Sequence, residues 1–408
     1  MSAATFSPAY LTALQRYEEE MLQRLALLVN IDSGTGQVEG ITRIMDYLRS
    51  WLEGLGCSVT LHDGGQYGPH LVAHLRGSRP SGGKRFLLVG HVDTVYAPGS
   101  ALACPFRCDG ELAFGPGVID MKSGVIMALY SLRVLLESRF ADFSDIFLVF
   151  NGDEEMGSPS SAPLLWELAR QADVGLVLEP TRSPEIITEA RKGADRYLLE
   201  VSGLAAHSGA EPHRGRSAVI ELAHKILAID HLHALLPGVT FNVTRLSSSE
   251  LLNVVPEWAR CWISVRAYTQ EGLDAAAEAL ERIVTSPSVP GTQARLTRTR
   301  GRVPYQATPQ VRALVEVARL EAQALGLELV AEAKGGVSDA NLLMQAGLPT
   351  LDSLGPVGGK MHVLREEFLR IPSLALRGAL LAGLIRQLAL QPPGPAVPAE
   401  GESRSARS

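Results

Sequence analysis

The chain has 408 residues, of which 46% are hydrophobic and 20% are charged, and its formal net charge is −6 at pH 7. A chain of this length is too long to fold around one ordinary hydrophobic core, so we expect two domains. The composition is typical of a globular protein. The net negative charge argues against a general nucleic-acid-binding protein, which would usually present a basic surface.

No uninterrupted apolar run is long enough to span a bilayer, and the N-terminus lacks the basic and apolar regions of a secretory signal. We therefore predict no membrane association. Two arginines interrupt the most apolar stretch, residues 374–390, which predicts an amphipathic closing helix. The one close cysteine pair, Cys104 and Cys108, lacks the second pair of a tetrahedral zinc site. We interpret the cysteines as free thiols of a cytoplasmic protein and residues 391–408 as a disordered tail.

Taken in order, residues 11–29 carry apolar side chains at helical spacing and predict a first helix. A second helix is expected at about 41–55, followed by strand-like segments around Val59 and 71–74. The apolar run 86–90 then predicts a buried strand. From here strands and helices alternate, which favours an α/β sheet that is mostly parallel and flanked by helices.

Polar side chains follow each predicted buried strand directly. The run 86–90 leads into His91 and Asp93, the run 146–150 into Glu154 and Glu155, and the run 174–178 into Glu179; Asp120 lies in a glycine-rich turn that opens a helix, and His362 follows a later strand-like segment. Each feature alone has an ordinary explanation, such as a solvated loop or a helix N-cap. Because parallel strands end at one edge of a sheet, their repetition favours a single site there.

The order of predicted strands and helices changes at about Lys192. Residues 197–203, 215–229, 241–246, 259–268, 272–283 and 294–299 follow the order β-α-β-β-α-β, which is the ferredoxin-like pattern of a small antiparallel sheet. We predict a catalytic domain made of residues 1–191 and 304–390, with residues 192–303 inserted as a second domain.

Two histidines and several carboxylates suit one or two divalent ions, with zinc the first candidate. Two ions that share a carboxylate polarise a carbonyl and lower the pKa of a bridging water. A carboxylate that is not a ligand then takes the proton from this water and passes it to the leaving nitrogen. Neighbours such as Glu154 and Glu155 point in different directions and suit this division, although the sequence leaves open which takes which role.

These motifs resemble the dinuclear zinc amidohydrolases, the family of carboxypeptidase G, aminoacylase, acetylornithine deacetylase and the di- and tripeptidases. The likeness is closest to the glutamate carboxypeptidases and runs from the segment Leu28–Gly36 through Gly90–Tyr96 to the final helix. It implies a cytoplasmic homodimer with two zinc ions per subunit, for which cobalt or manganese would substitute. The inserted domain would be the lid and dimerisation domain.

The resemblance also implies residue roles. Asp120 would bridge the two ions, with His91 and Glu179 completing one site and Glu155 and His362 the other. Glu154 would be the general base and acid, and Asp93 would orient His91. The peptide after the bridging Asp is often cis in this family. The motif Ala206–Gly209 would supply His207, which reaches the partner subunit's active site and supports the oxyanion.

Further positions of this sequence match family residues that bind the substrate. Asn253, Arg266 and Arg302 correspond to partners of a substrate carboxylate, which suits the planar fork of arginine. Gly335 and Gly336 lie in a turn whose backbone N–H groups would face the substrate. Histidines outside these motifs, such as His70 and His74, are interpreted as surface or packing residues.

The expected activity is hydrolysis of the amide bond to a C-terminal amino acid, with glutamate the leading candidate, by a dizinc-bound hydroxide. Met121 stands where carboxypeptidase G has a second Asp, and the segment Arg191–Gly193 looks more like the deacetylase and peptidase branches. An N-acyl amino acid deacylase or a dipeptidase is therefore the main alternative. A catalytically silent metal-binding relative is a distant one, since such a protein has no need of a base at Glu154.

Overall fold

The computed structural model describes residues 5–391, apart from the side chain of Arg300. The predicted tail therefore lies outside the described residues except for Gln391. The chain forms two compact units. Unit 1 runs up to Ile187 and takes in Ala313–Val330 and the chain from Leu348 onward; unit 2 comprises Thr188–Arg312 and Ala331–Gly347. Residues 331–347, which the sequence analysis assigned to the catalytic domain, thus belong to unit 2.

The α-helices of the described residues are α1 (Ser7–Gln15), α2 (Glu18–Val29), α3 (Val38–Gly54), α4 (Ser100–Ala103), α5 (Ser123–Glu137), α6 (Ala162–Ala169), α7 (Ala218–Leu235), α8 (Gln270–Thr285), α9 (Pro309–Ala324), α10 (Asp339–Gln345) and α11 (Pro372–Leu390). The strands are β1 (Ser58–His62), β2 (His70–Arg76), β3 (Arg85–His91), β4 (Arg107–Asp109), β5 (Leu112–Phe114), β6 (Asp145–Asn151), β7 (Val174–Val177), β8 (Ile186–Arg191), β9 (Gly193–Ser202), β10 (Thr240–Ser248), β11 (Trp258–Ala267), β12 (Gln293–Arg302), β13 (Val330–Lys334), β14 (Thr350–Leu351), β15 (Gly358–Gly359) and β16 (Phe368–Arg370).

The main sheet of unit 1 has six strands in the order β1-β2-β6-β3-β7-β14. Strand β3 pairs in parallel with both β6 and β7, and β14 pairs in parallel with β7. Strand β2 pairs antiparallel with both β1 and β6. The sheet interior is apolar, with Leu87, Leu148 and Leu176 fully buried. The predicted mixed, mostly parallel α/β sheet is confirmed.

The closing helix α11 is long and apolar enough to cross a membrane by length and composition, but 78% of its most apolar window is buried inside the fold. It packs against α1 and α5. Its Arg377 is fully buried and donates to the backbone carbonyls of Ser353, Gly355 and Pro184. Helix α11 is therefore a core helix of unit 1.

The first predicted helix is two helices in the structure, interrupted at Arg16 and Tyr17. The Tyr17 hydroxyl donates to Glu137 at 2.7 Å, and its ring lies 5.6 Å from that of Tyr130. Helix α1 also begins earlier than expected, because Ser7 donates from its backbone N–H and its hydroxyl to the buried Glu321. These contacts come from distant parts of the chain and have no local sequence signal.

Unit 2 contains a four-stranded sheet in the order β10-β11-β9-β12, with antiparallel pairing throughout. Helices α7 and α8 pack against it, and its core includes Leu199, Cys261, Ile263, Val265 and Leu280. The chain order is β-α-β-β-α-β. The predicted ferredoxin-like sheet is confirmed.

Unit 1 also has a small sheet, β15-β16-β5-β4, that the sequence analysis missed. Strand β16 pairs with β5, so that Phe368 lies opposite Phe114. Strands of two or three residues are too short to show an alternating pattern. This sheet matters for the site, because Asp120 follows β5 in the chain and His362 lies between β15 and β16.

Candidate metal centre

The predicted ligands of unit 1 come from strand ends and the turns beyond them. His91 is the last residue of β3 and lies opposite Asn151 at the end of β6. Glu154 and Glu155 follow β6, and Glu179 follows β7. Parallel pairing places these three strand ends at one edge of the sheet. Asp120 lies in the turn before α5, where the Asp120–Met121 peptide is cis as the resemblance implied.

Five of these residues form two groups that could each hold a metal ion, and both groups contain Asp120. His91 Nε2 lies 3.2 Å from Asp120 Oδ1 and 3.8 Å from Glu179 Oε1. His362 Nε2 lies 3.3 Å from Asp120 Oδ2 and 3.4 Å from Glu155 Oε1. Asp120 thus presents one carboxylate oxygen to each group. Glu155, and not Glu154, joins the second group.

These separations fit a shared ion. Two ligands that are each 2.0–2.1 Å from a tetrahedral zinc ion lie roughly 3.3 Å apart. In addition, Glu155 Oε1 is buried and has no hydrogen-bond partner among the described residues. Burying a carboxylate oxygen without a hydrogen-bond donor costs free energy unless a cation binds it. The donor set and its geometry therefore fit a divalent metal.

The electrostatics of the cluster agree with this. Burial opposes the charged form of Asp120, but hydrogen bonds to His362 and His91 hold its pKa well below the usual range. The neighbouring carboxylates of Asp120 and then Glu155 raise the pKa of His362 to about 10. Burial opposes protonation of His91, yet its contacts with Asp120 and Asp93 raise its pKa well above the ordinary value. The carboxylates thus attract positive charge, which a proton or a metal ion supplies.

Asp93 is fully buried and contacts both His91 and the Glu154–Glu155 pair. His91 Nδ1 lies 3.0 Å from the Asp93 backbone carbonyl and 3.4 Å from its carboxylate. The same carboxylate accepts the backbone N–H groups of Glu154 and Glu155, each at 3.1 Å. Asp93 therefore fixes the glutamate pair as well as the imidazole, whereas the sequence analysis assigned it only the imidazole.

Glu367 is a site residue that the sequence analysis missed. It is 1% exposed and accepts the backbone N–H groups of Gly117, Ile119 and Asp120, together with the Tyr96 hydroxyl. Its carboxylate thereby holds the turn that presents Asp120. Its only sequence signal is an acidic doublet shortly after His362, which more often marks a solvated loop.

We expect Glu367→Gln to lower the free energy of unfolding of the metal-free protein by about 2–3 kcal/mol. A carboxylate accepts hydrogen bonds with two oxygens, whereas an amide has one accepting oxygen and no charge to strengthen the bonds. Chemical denaturation measures this change. The matched control is Glu366→Gln, since the Glu366 side chain is 60% exposed and pairs with Lys360, which is itself 61% exposed. Equal stability losses in the two variants would show that Glu367 does not hold this turn.

The remaining predicted residues lie in unit 2. His207 is exposed and forms a β-bridge with Val254, beside Asn253, whose carbonyl accepts from Ser208. His207 Nδ1 accepts the backbone N–H groups of Gly209 and Ala210 at 3.2 and 3.1 Å. These contacts leave the ring proton on Nε2. His207 therefore presents an Nε2–H donor.

Three arginines hold the loop 335–338 by its carbonyl groups. Arg266 donates to Gly335 at 2.9 Å, Arg191 to Gly336 at 3.1 Å and Arg302 to Ser338 at 3.3 Å. The carbonyls of the predicted glycines thus face arginines of the same unit. The guanidinium of Arg302 also lies 3.6 Å from Asp339, with both side chains buried, so its charge is already paired.

A mixed α/β sheet with a histidine-carboxylate centre, accompanied by a ferredoxin-like unit, defines the chain as a metal-dependent hydrolase of amide bonds. A profile of the peptidase family M20/M25/M40 matches residues 87–387. The chain belongs to this family.

Relatives agree with the assignment. The chain is 33% identical to carboxypeptidase G2 from Pseudomonas sp. over 372 residues, which is 90% of this chain and 89% of the relative. It is 28% identical to a succinyl-diaminopimelate desuccinylase from Novosphingobium aromaticivorans over 60% of this chain and 67% of the relative. A tripeptidase from Staphylococcus aureus has the same fold, with a TM-score of 0.78 and 21% identity over 92% of this chain and 99% of that one.

Proposed function

We propose that the protein is a dizinc exopeptidase of the glutamate carboxypeptidase type, which hydrolyses the amide bond to a C-terminal amino acid, with glutamate the leading candidate. The observation that carries this proposal is Asp120, which has one carboxylate oxygen near His91 and the other near His362. The similarity to carboxypeptidase G2 over 90% of the chain supports the substrate class.

His91, Asp120 and Glu179 would hold one zinc ion, and Asp120, Glu155 and His362 the other. When bound, the ions polarise the amide carbonyl and lower the pKa of a water molecule. Glu154 takes the proton from the attacking water and delivers it to the leaving nitrogen. The Asp93 carboxylate keeps Glu154 in place by accepting the backbone N–H of Glu154.

Residues of unit 2 bind the substrate in this proposal. His207 donates its Nε2 proton to the oxyanion that forms in the transition state. Arg266 and Asn253 hold the carboxylate of the C-terminal amino acid. Arg302 contributes by fixing the loop that carries Gly335 and Gly336, since its own charge is paired with Asp339.

A metal analysis combined with a substrate panel tests the function. We expect two zinc ions per chain and turnover of benzoyl- and pteroyl-glutamate above that of N-acetyl amino acids and dipeptides. Faster hydrolysis of N-acyl amines would instead support the deacylase alternative, which the desuccinylase relative favours. Metal binding without any turnover would support the alternative that the protein binds metal but is not catalytic.

We further propose that unit 2 forms a homodimer in the cytoplasm. The exposed face of α7 carries Ile220, Leu227 and Leu235, which are 51%, 68% and 60% exposed and lie seven or eight residues apart on one side of the helix. Strand β10 is an edge strand of the same sheet. An apolar stripe beside an open edge suits a symmetric pairing of two copies. The four free cysteines suit a reducing compartment.

In such a dimer His207 acts on the partner's site, and mixing two inactive variants tests this. We expect His207→Ala and Glu154→Gln to be nearly inactive alone. Refolded or co-expressed together, they should recover about a quarter of wild-type activity, because half of the dimers are mixed and each mixed dimer has one intact site. No recovery in verified mixed dimers would mean that His207 acts within its own chain.

A further inference from the structure

Lys192 and Arg266 are two cationic side chains of unit 2 that have no acidic partner among the described residues. Lys192 Nζ makes one hydrogen bond, to Thr240 Oγ1 at 3.5 Å, and lies 5.2 Å from the centre of the Tyr268 ring. Arg266 donates to the Gly335 carbonyl. Two other arginines of the unit are paired, since Arg298 lies 2.7 Å from Asp195 and Arg302 lies 3.6 Å from Asp339.

Both residues contact Thr240. Thr240, which contacts Lys192 Nζ, is the residue opposite Arg266 across β10 and β11 and donates to the Arg266 carbonyl at 3.4 Å. The backbone N–H of Lys192 donates to Lys334, the residue before Gly335. The Lys192 backbone and the Arg266 side chain thus both contact the start of the same loop.

No acidic side chain among the described residues forms an ion pair with either cation. Burial and then the charge of Arg266 lower the pKa of Lys192, and burial and then the charge of Arg196 lower the pKa of Arg266. Holding like charges together at partly buried positions costs free energy that an anionic ligand recovers on binding. A ligand with one carboxylate compensates one of the two cations, and a dicarboxylate compensates both.

We propose that Lys192 is a specificity-determining residue, which binds the side-chain carboxylate of an acidic C-terminal amino acid while Arg266 holds its α-carboxylate. This inference rests on the proposed function and narrows it to N-acyl or peptidyl derivatives of α-amino dicarboxylic acids. Arg302, which the family resemblance matches to a further carboxylate partner, already has its charge paired with Asp339.

The test compares benzoyl-glutamate with benzoyl-glutamine, which has nearly the same shape but an uncharged side chain. A charge-assisted contact predicts that the wild-type enzyme prefers benzoyl-glutamate by about 10–100-fold in kcat/KM. Lys192→Met should remove most of this preference by raising KM for benzoyl-glutamate, while kcat/KM for benzoyl-glutamine stays within about 3-fold because that substrate never used the charge. Lys192→Arg should keep the preference.

The matched control is Arg282→Gln, which removes one positive charge from α8, where Arg282 is 71% exposed and pairs with Glu278. It should leave both substrates unaffected. An unchanged substrate ratio in Lys192→Met, or an equal loss for both substrates, overturns the inference. A wild-type enzyme that hydrolyses both substrates equally also overturns it and leaves the proposed function intact. Hydrolysis of neither substrate by the zinc-loaded enzyme would contradict the proposed function itself.

Discussion

Replacing Glu154 by Gln is expected to reduce turnover by about 10²–10⁴-fold, the range that a positioned general base contributes. The variant should keep its metal content, because Glu155 and not Glu154 belongs to the ligand groups. Its backbone contact with Asp93 does not involve the substituted side chain. Turnover on benzoyl-glutamate and metal analysis of the same preparation measure the two quantities.

The neighbouring substitution Glu155→Gln provides the contrast. Glu155 Oε1 lies 3.4 Å from His362 and has no hydrogen-bond partner among the residues described. We expect this variant to lose metal and activity together. Full activity in Glu154→Gln would show that another group transfers the proton. Loss of metal in Glu154→Gln would show that the two glutamates have exchanged roles.

Asp120→Asn should be the most damaging substitution of all. A neutral amide is a weaker ligand than a carboxylate, and Asp120 belongs to both ligand groups, so both ions are affected. The loss of several kcal/mol of electrostatic stabilisation corresponds to at least about 10³-fold in rate. Zinc content by elemental analysis should fall in parallel with kcat, and added zinc should not restore wild-type activity.

The chain offers a matched control in the same unit. Asp145 lies 2.7 Å from His74, which is also an Asp–His contact, but Asp145 begins β6 while the metal centre lies beyond its other end. Asp145→Asn should keep both metal content and kcat. If Asp120→Asn retained its zinc, the shared-carboxylate arrangement would be wrong.

The local pattern of the sequence was enough to predict much of the fold. Apolar runs such as β3 and β6 are buried by any α/β sheet, and the polar residues that follow them must then lie at its edge. The ferredoxin-like order of unit 2 is likewise visible, because each of its elements is long enough to show its own period. The positions of His91 and of the Glu154–Glu155 pair at this edge were thus predicted from strands β3 and β6, while the choice of Glu155 as the ligand came from the family resemblance.

Other features depend on contacts between distant segments. His362 approaches Asp120 through pairing of the very short strands β5 and β16, which have no recognisable sequence period. The double role of Asp93 depends on the distance between β3 and the turn after β6. Glu367 is distinguished from its exposed neighbour Glu366 only by burial under the Asp120 turn.

Unit 2 illustrates the same limit for charges. From the sequence, Arg266, Arg302 and Lys192 are equivalent cations, and a family pattern favours the two arginines. The structure pairs Arg302 with Asp339 and leaves Arg266 and Lys192 without an acidic partner among the described residues.

The sequence by itself determined which residue types stand at the ends of the buried strands, because hydrophobic periodicity is a local property of the chain. Only the tertiary structure decided which carboxylates share a ligand group, which support a backbone turn and which cations stay unpaired. Those outcomes depend on distances of a few ångströms between residues hundreds of positions apart, such as the 3.3 Å between His362 and Asp120.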